Sequence, residues 1–529
     1  MRYAVADERI AAGGRPVVLV TLYAPGRTFR AASEPVEVPA TDADGPYFYD
    51  ARLTRAITFS PEADPLGVEA QTILTSTSVE MVLDEDVDPR VSEMAGAWLA
   101  ASRCEIALIW PGQDWRDRRV ILPRGTVSGM ELGRAGEPIR FTAEAVLQRR
   151  ADTVCDPTRD MGDFYPSSSS FGDYDGKLWP VVIGRCYGIP AFKLGDIESG
   201  AGVTYAIGIA GHTFATTTVS AAGIVVYQDG AAYTPVGTLS GVNSTDSDGG
   251  AVFWVQSTSN SDFDAAWPAA TVDCVAGGVS AVRGQGAALN GDGVVAWLLA
   301  QTGATVDWAR CEAALEHLRG WDIGVYVDGA PDALAILRDR VLRWLPLLEV
   351  QGTNGIAVDY LDPFRGTPER DLVVGPHLID RIGNLTQLSD PDDVINEVTM
   401  EYAYDHYRGE YTRRITIGAA ENARAKHSQQ APQYGVRAKS LSCNIVWDSA
   451  TAARIAHWMI DRLALPRWGH RYLYEPDLYD LRENQLVRLT DDDMGVSGRR
   501  AVLRRVSPQL SPPECLIEIL PRLGGGMED

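Results

Sequence analysis

The sequence predicts an α+β protein, predominantly β and multi-domain, with two barrel-like β domains, an inserted β domain and one small α+β domain. Three observations carry that expectation. At 529 residues the chain is too long for one hydrophobic core. Period-2 alternation recurs through its first and last parts. The clearest case sets Ile139, Phe141, Ala143, Ala145 and Leu147 against Arg140, Thr142, Glu144 and Gln148. Helical spacing with capping residues is concentrated in one middle stretch.

Residues 1–150 read as a barrel or sandwich of short strands, expected at 17–23, 47–53, 79–83, 104–110, 119–122 and 139–147, with one helix at 91–101. Residues 151–176, rich in Asp, Pro, Ser and Gly, read as a linker or arm. Residues 177–286 form the inserted domain, dominated by Gly, Ala, Thr, Ser and Val. Strands are expected there at 203–209, 223–228, 251–256 and 270–275, and Asp229-Gly230 and Asp248-Gly249 are hairpin turn signals.

Residues 287–394 change character. Asp292 caps a helix through Val294, Val295, Leu298 and Leu299 to Gly303. Asp307 caps a second through Trp308, Cys311, Leu315 and Leu318, and Pro331 opens a third through Leu334, Leu337, Val341 and Leu345. Strands follow at 322–327, 348–351 and 356–360, the last two joined at Thr353-Asn354-Gly355. In 395–529 the alternation of Val394, Asn396, Val398, Met400, Tyr402 and Tyr404 marks a half-buried strand, and 412–417 a second. After a polar connection, Asp448 caps a helix whose inner face is Ala452, Ile455, Ala456, Met459 and Leu463, with Trp458 off that face and Pro466 as the stop. Strands at 469–474, 484–490, 499–506 and 514–520 close the chain around an acidic turn, Asp491 to Gly498.

Composition excludes several function classes. A net charge of -23 argues against a nucleic-acid-binding surface, which needs clustered Lys and Arg. The amino terminus carries charges where a secretory signal has its apolar run, and the apolar stretch 16–25 is too short to span a bilayer, so folding in a cytoplasm and no membrane-spanning segment are expected. Seven widely spaced cysteines without C-x-x-C favour neither disulfides nor structural zinc.

Two stretches point to a family. Asn396-Glu-Val-Thr-Met-Glu-Tyr402, followed by the turn Tyr434-Gly435-Val436-Arg437 and then a helix and late strands, resembles the C-terminal part of baseplate hub or tail-tip hub proteins of tailed bacteriophages. Trp179-Pro-Val-Val-Ile-Gly-Arg-Cys-Tyr-Gly-Ile-Pro190 looks like the entry into the middle of the hubs of non-contractile tails. The resemblance implies a non-enzymatic virion protein at the tail tip. It implies a homotrimeric ring, with residues 1–150 and 395–529 as paired barrel-like domains that match a sixfold tube. Distal-tail or tail-tube proteins would lie above it and tail-fibre or tip proteins below, with DNA passing without specific binding. A tail-borne cell-wall hydrolase and a carbohydrate-binding adhesin are the rival readings.

Residue patterns offer little chemistry. P-loop, nucleophile-elbow and zincin motifs are absent, no cofactor is indicated and no catalytic residue is assigned. Ser244 to Val255 imitates half a calcium loop but puts Val where a bidentate Glu belongs. Asp491-Asp492-Asp493 offers hard oxygen ligands to a cation, or an acidic wall to passing DNA. Asp173 with Asp175, or Glu312 with Glu316, are the candidate glycosidase pairs. His457 and His470 are the histidines expected to approach each other. Trp110, Trp115, Trp254, Trp267 and Trp468 are the candidates for a sugar-stacking face.

Overall fold

The computed structural model describes the strands and their flanks between residues 16 and 145, Cys155, and strands between 177 and 277. It also describes residues 290–519, with short breaks at 330, 353–354, 362–365, 389–390, 476–477, 479–480, 482 and 508–513. The helix expected at 91–101 lies outside the described residues. Among the described residues the architecture is mostly β, in five sheets.

The first sheet has nine strands, in the order Val36–Val38, Tyr47–Ala51, Arg27–Ala32, Val17–Ala24, Arg103–Ile109, Arg119–Glu131, Pro138–Ala145, Leu74–Val82 and Thr58–Glu62. Register places Val20 opposite Ile106, Leu22 opposite Phe29 and Cys104, and Val79 opposite Phe141. All of these are buried, so the alternation read from sequence generates one apolar face. The opposite face is covered over part of its area by the hairpin Val36–Val38/Tyr47–Ala51, which lays Val38 and Tyr49 on Val17, Leu19, Ala32 and Ala107.

The central sheet has eight strands and gathers segments from far apart. Val181–Pro190 pairs with Ala270–Gly277, with Gly324–Val327 and, in parallel, with Glu397–Asp405; the last also pairs with Glu410–Ile417 and Ala438–Ser442. Helices pack on it. Helix Gly291–Gln301 is buried all round from Val294 to Leu299, as an all-apolar run requires. Its N-cap is Asn290, not Asp292; Asp292 sits in the first turn, 3.8 Å from the Arg319 guanidinium. Trp308–Glu316 is capped by Asp307 as expected, and the third helix is a short α-turn, Ala333–Ala335, running into a π-helix, Ile336–Leu342. Cys155, in the stretch expected as a linker, is buried in this core and donates to the Val327 carbonyl.

Sheet membership divides the chain differently from the expected units 177–286 and 395–529. Strands Val225–Gln228, Ala231–Ala232 and Ala270–Gly277 of the expected insertion belong to the central sheet; Phe192–Ser199, Gly202–Ala210, Ala251–Ser257 and Leu239–Thr245 form a separate four-stranded sheet. The expected unit 395–529 is divided, because Glu397–Asp405 and the helix Ser449–Leu463 share one apolar core with residues 294–361. The C-terminal sheet proper, in the order Arg370–Val373, Leu486–Asp491, Val496–Ser507, Glu514–Ile519, Trp468–Tyr474 and Leu378–Gln387, has its own core around Tyr472, Tyr474, Leu489, Leu503 and Ile517. A bridge between Val374 and Leu378 brings its first and last strands together at one end.

Candidate functional site

The two stretches that carry the family resemblance meet in the central sheet. Tyr187 and Asp405 are parallel ladder partners, the His406 amide donates to the Tyr187 carbonyl (3.3 Å), and the Tyr407 amide donates to the Gly188 carbonyl (2.8 Å). Asp405 is buried, and its Oδ1 accepts from the amides of Tyr407 and Arg408, both at 3.0 Å. Gly188 lies directly against that carboxylate at φ 59°. A Cβ there would overlap Asp405 Oδ1, so the position requires glycine for both space and backbone conformation.

The burial alternation changes at Ala403, although the register with Glu410–Ile417 runs unbroken past it. Ala403 has φ 54°; its amide donates to the Val446 carbonyl and its carbonyl accepts from Thr412 Oγ1. Val398, Met400 and Tyr402 are buried as expected, but Tyr404, expected on the same side, is half-buried and packs on His406 and Tyr411. His406 also lies 4.8 Å from the Tyr326 ring, and burial lowers its pKa to about 4, with Asp328 opposing that shift and Arg340 adding to it. Beside the joint, Tyr187 packs on Trp447 at 4.9 Å, and the guanidinium of Arg185 lies over the same indole while pairing with Asp322.

Asn396 ties the rest of the motif together and is fully buried. Its Nδ2 donates to the Gly435 carbonyl (2.7 Å) and Ser428 Oγ (3.0 Å), and its Oδ1 accepts from the Arg437 amide (2.7 Å). Its backbone carbonyl accepts from Gln429 Nε2 (3.0 Å). One side chain thus fixes the Tyr434-to-Arg437 turn and the helix Ala423–Gln430 to the start of the strand. That helix lay unrecognised in the polar connection; the asparagine cap at Asn422, bonded to the Arg424 and Ala425 amides, was its available signal.

The candidate chemical groups do not converge among the described residues. Glu312 and Glu316 are exposed on helix Trp308–Glu316, and Glu316 pairs with Arg319. Asp173 and Asp175 lie outside the described residues. Ser244 and Val255 belong to the paired strands Leu239–Thr245 and Ala251–Ser257, which accounts for the calcium-loop imitation as a hairpin. His457 is turned to Asn422, whereas His470 packs on Tyr472.

Asp491 is buried, accepts from Tyr472 Oη (2.9 Å) and caps the turn at the Met494 amide; Arg381 reaches both it and Asp493. One arginine thus faces three carboxylates, of which Asp492 and Asp493 are exposed. Trp110 is buried and Trp468 is exposed. Trp115 and Trp267 lie outside the described residues, as does the side chain of Trp254. No group of three or more His, Cys, Asp or Glu side chains stands together among the described residues, and no described helix is long and apolar enough to cross a membrane.

Among the described residues the fold is β-rich and multi-sheet, and the polar side chains at the joint fix one segment to another. No family model and no curated protein matches the chain. Among solved structures it is similar to the 43 kDa tail protein of prophage MuSo2 from Shewanella oneidensis, at TM-score 0.40 and 9% identity over 95% of this chain and 98% of that one. It is also similar to a chain of the virion of the native gene transfer agent particle, at TM-score 0.43 and 13% identity over 67% and 88%. Overlap at this level leaves function to be argued from the residues.

Proposed function

We propose that this chain is a structural subunit of a phage-type tail, the hub at its tip or baseplate. In this reading three copies close a ring between distal-tail or tail-tube proteins above and fibre or tip proteins below, and DNA passes through without specific binding. One observation carries the reading. The motif stretches at 179–190, 396–402 and 434–437, remote in sequence, are joined by the Tyr187–Asp405 pair and the Asn396 hydrogen bonds, so the resemblance describes one connected piece of architecture.

The first sheet and the C-terminal sheet, each with its own apolar core, are the paired barrel-like units. The second of them is drawn from 370–387 and 468–519, in place of 395–529. The test is the mass of the purified protein together with electron microscopy of particles carrying a tagged copy. Three copies at the tail tip are expected. A stable monomer, or label distributed along the tube or head, overturns the reading, and release of soluble fragments from purified peptidoglycan would put the hydrolase in its place.

A further inference from the structure

Cys186 and Cys274 are far apart in sequence, and nothing in their spacing pairs them. The central sheet brings them together, as direct register partners in the antiparallel ladder of Val181–Pro190 with Ala270–Gly277. Directly opposite residues of such a ladder stand about 4.5–5.5 Å apart between Cα atoms, within the roughly 4.4–6.8 Å that a disulfide spans. Where the other described ladders include a cysteine, its partner is a different residue type: Cys104 opposes Leu22 and Gly125, and Cys515 opposes Tyr472 and Val506. The rung is also isolated. The register shifts between Gly184 and Cys186 and shifts back between Cys186 and Ile189, so the ladder is least regular on both sides of the pair.

That rung holds more than two strands. Val225–Gln228 and Ala231–Ala232 are joined to Val181–Pro190 through Ala270–Gly277 in the strand order. The separate four-stranded sheet, from Phe192–Ser199 to Ala251–Ser257, lies between the two cysteines in sequence. A bond at the rung closes a loop around that whole sheet and fastens one margin of the central sheet to its core. Cys186 is a free thiol and 3% exposed, its Sγ donates to the Ile183 carbonyl at 3.9 Å, and burial pushes its pKa up. A thiol held in the protonated form resists stray oxidants, whereas a partner fixed in the same ladder supplies the high local concentration that exchange needs.

We propose that Cys186 and Cys274 are a disulfide-forming pair, thiols while the chain is in a reducing compartment and a cross-strand bond once it meets a small disulfide oxidant. One cysteine opens the S–S bond of the oxidant to give a mixed disulfide and releases one small thiol; the other displaces the second. Two electrons pass from the cysteine pair to the oxidant, and the two thiol protons leave on the small thiols. The bond follows from the sheet alone, whatever particle the chain serves.

The full chain, purified under reductant, is exchanged into oxidised glutathione without denaturant, then alkylated in urea and digested with trypsin, which cuts between the two cysteines at Lys193. Mass spectrometry should find the Cys186 and Cys274 peptides linked in most chains, the link lost on reduction, and the remaining cysteines alkylated. Hydrogen exchange of 181–190 and 270–277 should slow about tenfold or more on oxidation, and Cys274→Ser should abolish that slowing. If the variant misfolds, the wild-type map decides. Alkylation of both cysteines after oxidation, a link from either to a different cysteine or to glutathione alone, or a link formed only when urea is present during oxidation overturns the pair. A link that leaves exchange unchanged overturns the fastening of the margin.

Discussion

Asn396 shows how much one side chain can hold. Its fully buried amide is committed on both sides, so Asn396→Ala takes the partner from the half-buried Gly435 carbonyl and Arg437 amide together and should cost about 1–3 kcal/mol in urea unfolding. Asn396→Asp keeps the shape but turns a donor into an acceptor against Gly435, and should be no milder. A cost under about 0.5 kcal/mol for both would show that the turn holds without it.

His406 gives a pH dependence. Its folded pKa, about 4, lies below the ordinary 6.5, so the fold favours the neutral ring. Above pH 6.5 neither state binds the proton and nothing changes. As pH falls from 6.5 towards 4, the unfolded chain takes up the proton and the folded one does not, so stability is lost. The ring is half-buried, so about 1–2 kcal/mol is expected over that window. His406→Phe should remove that part of the slope between pH 7 and 4.5. Parallel stability curves for wild type and variant would refute the assignment.

At the scale of elements, helix Ser449–Leu463 separates what was legible from what was not. Its cap and apolar face followed from Asp448 and the 3.6 spacing, and the Asp448 carboxylate does accept from the Ala450 and Thr451 amides. Periodicity places Trp458 off the buried face because it reports one partner surface. The chain covers a second, and the Trp458 indole donates to the Leu361 carbonyl at 2.8 Å. Trp458→Ala and Met459→Ala should therefore both destabilise strongly, by about 3–5 and 2–5 kcal/mol, read as lowered melting temperatures; a silent Trp458→Ala would contradict that burial.

Helix Ala423–Gln430 escaped notice for the opposite reason. It buries only Ala425 and Ser428 and is fixed largely by hydrogen bonds, which leave no hydrophobic period. Asn422→Ala removes its cap and the bond to Asp461, so about 1–2 kcal/mol is expected, with faster amide exchange confined to 423–430. Edge strands such as Leu378–Gln387, with mixed polarity and a bulge after Ile382, were equally silent in sequence.

For the whole molecule, the mostly β class was readable from local alternation, whereas sheet membership was not, because pairing partners lie hundreds of positions apart. The insertion is the clearest example. Turn signals mark 177–286 as an inserted domain, but Ala270–Gly277 lies beside Val181–Pro190 in the central sheet and pairs there through Cys186 and Cys274. A deletion of 200–280 exposes the edge of a core strand and should yield insoluble protein, measured as the soluble fraction after expression. Full solubility with native-like exchange would restore the insertion view.

The parallel pairing of Tyr187 with Asp405 also governs the order in which the chain can be finished. While the polypeptide is being synthesised, Val181–Pro190 emerges long before Glu397–Asp405 exists. Its apolar residues Val182, Ile183 and Ile189 must wait beside the ribosome with that edge unfilled. Contacts this remote in sequence fold slowly, since the loop between them must close before they repay its entropy. The first sheet, local in its pairings, is free to form early. Nascent chains halted before Glu397 should therefore present a folded amino-terminal sheet and a chaperone-binding middle, and chains released past the Ala438–Ser442 strand should lose that chaperone.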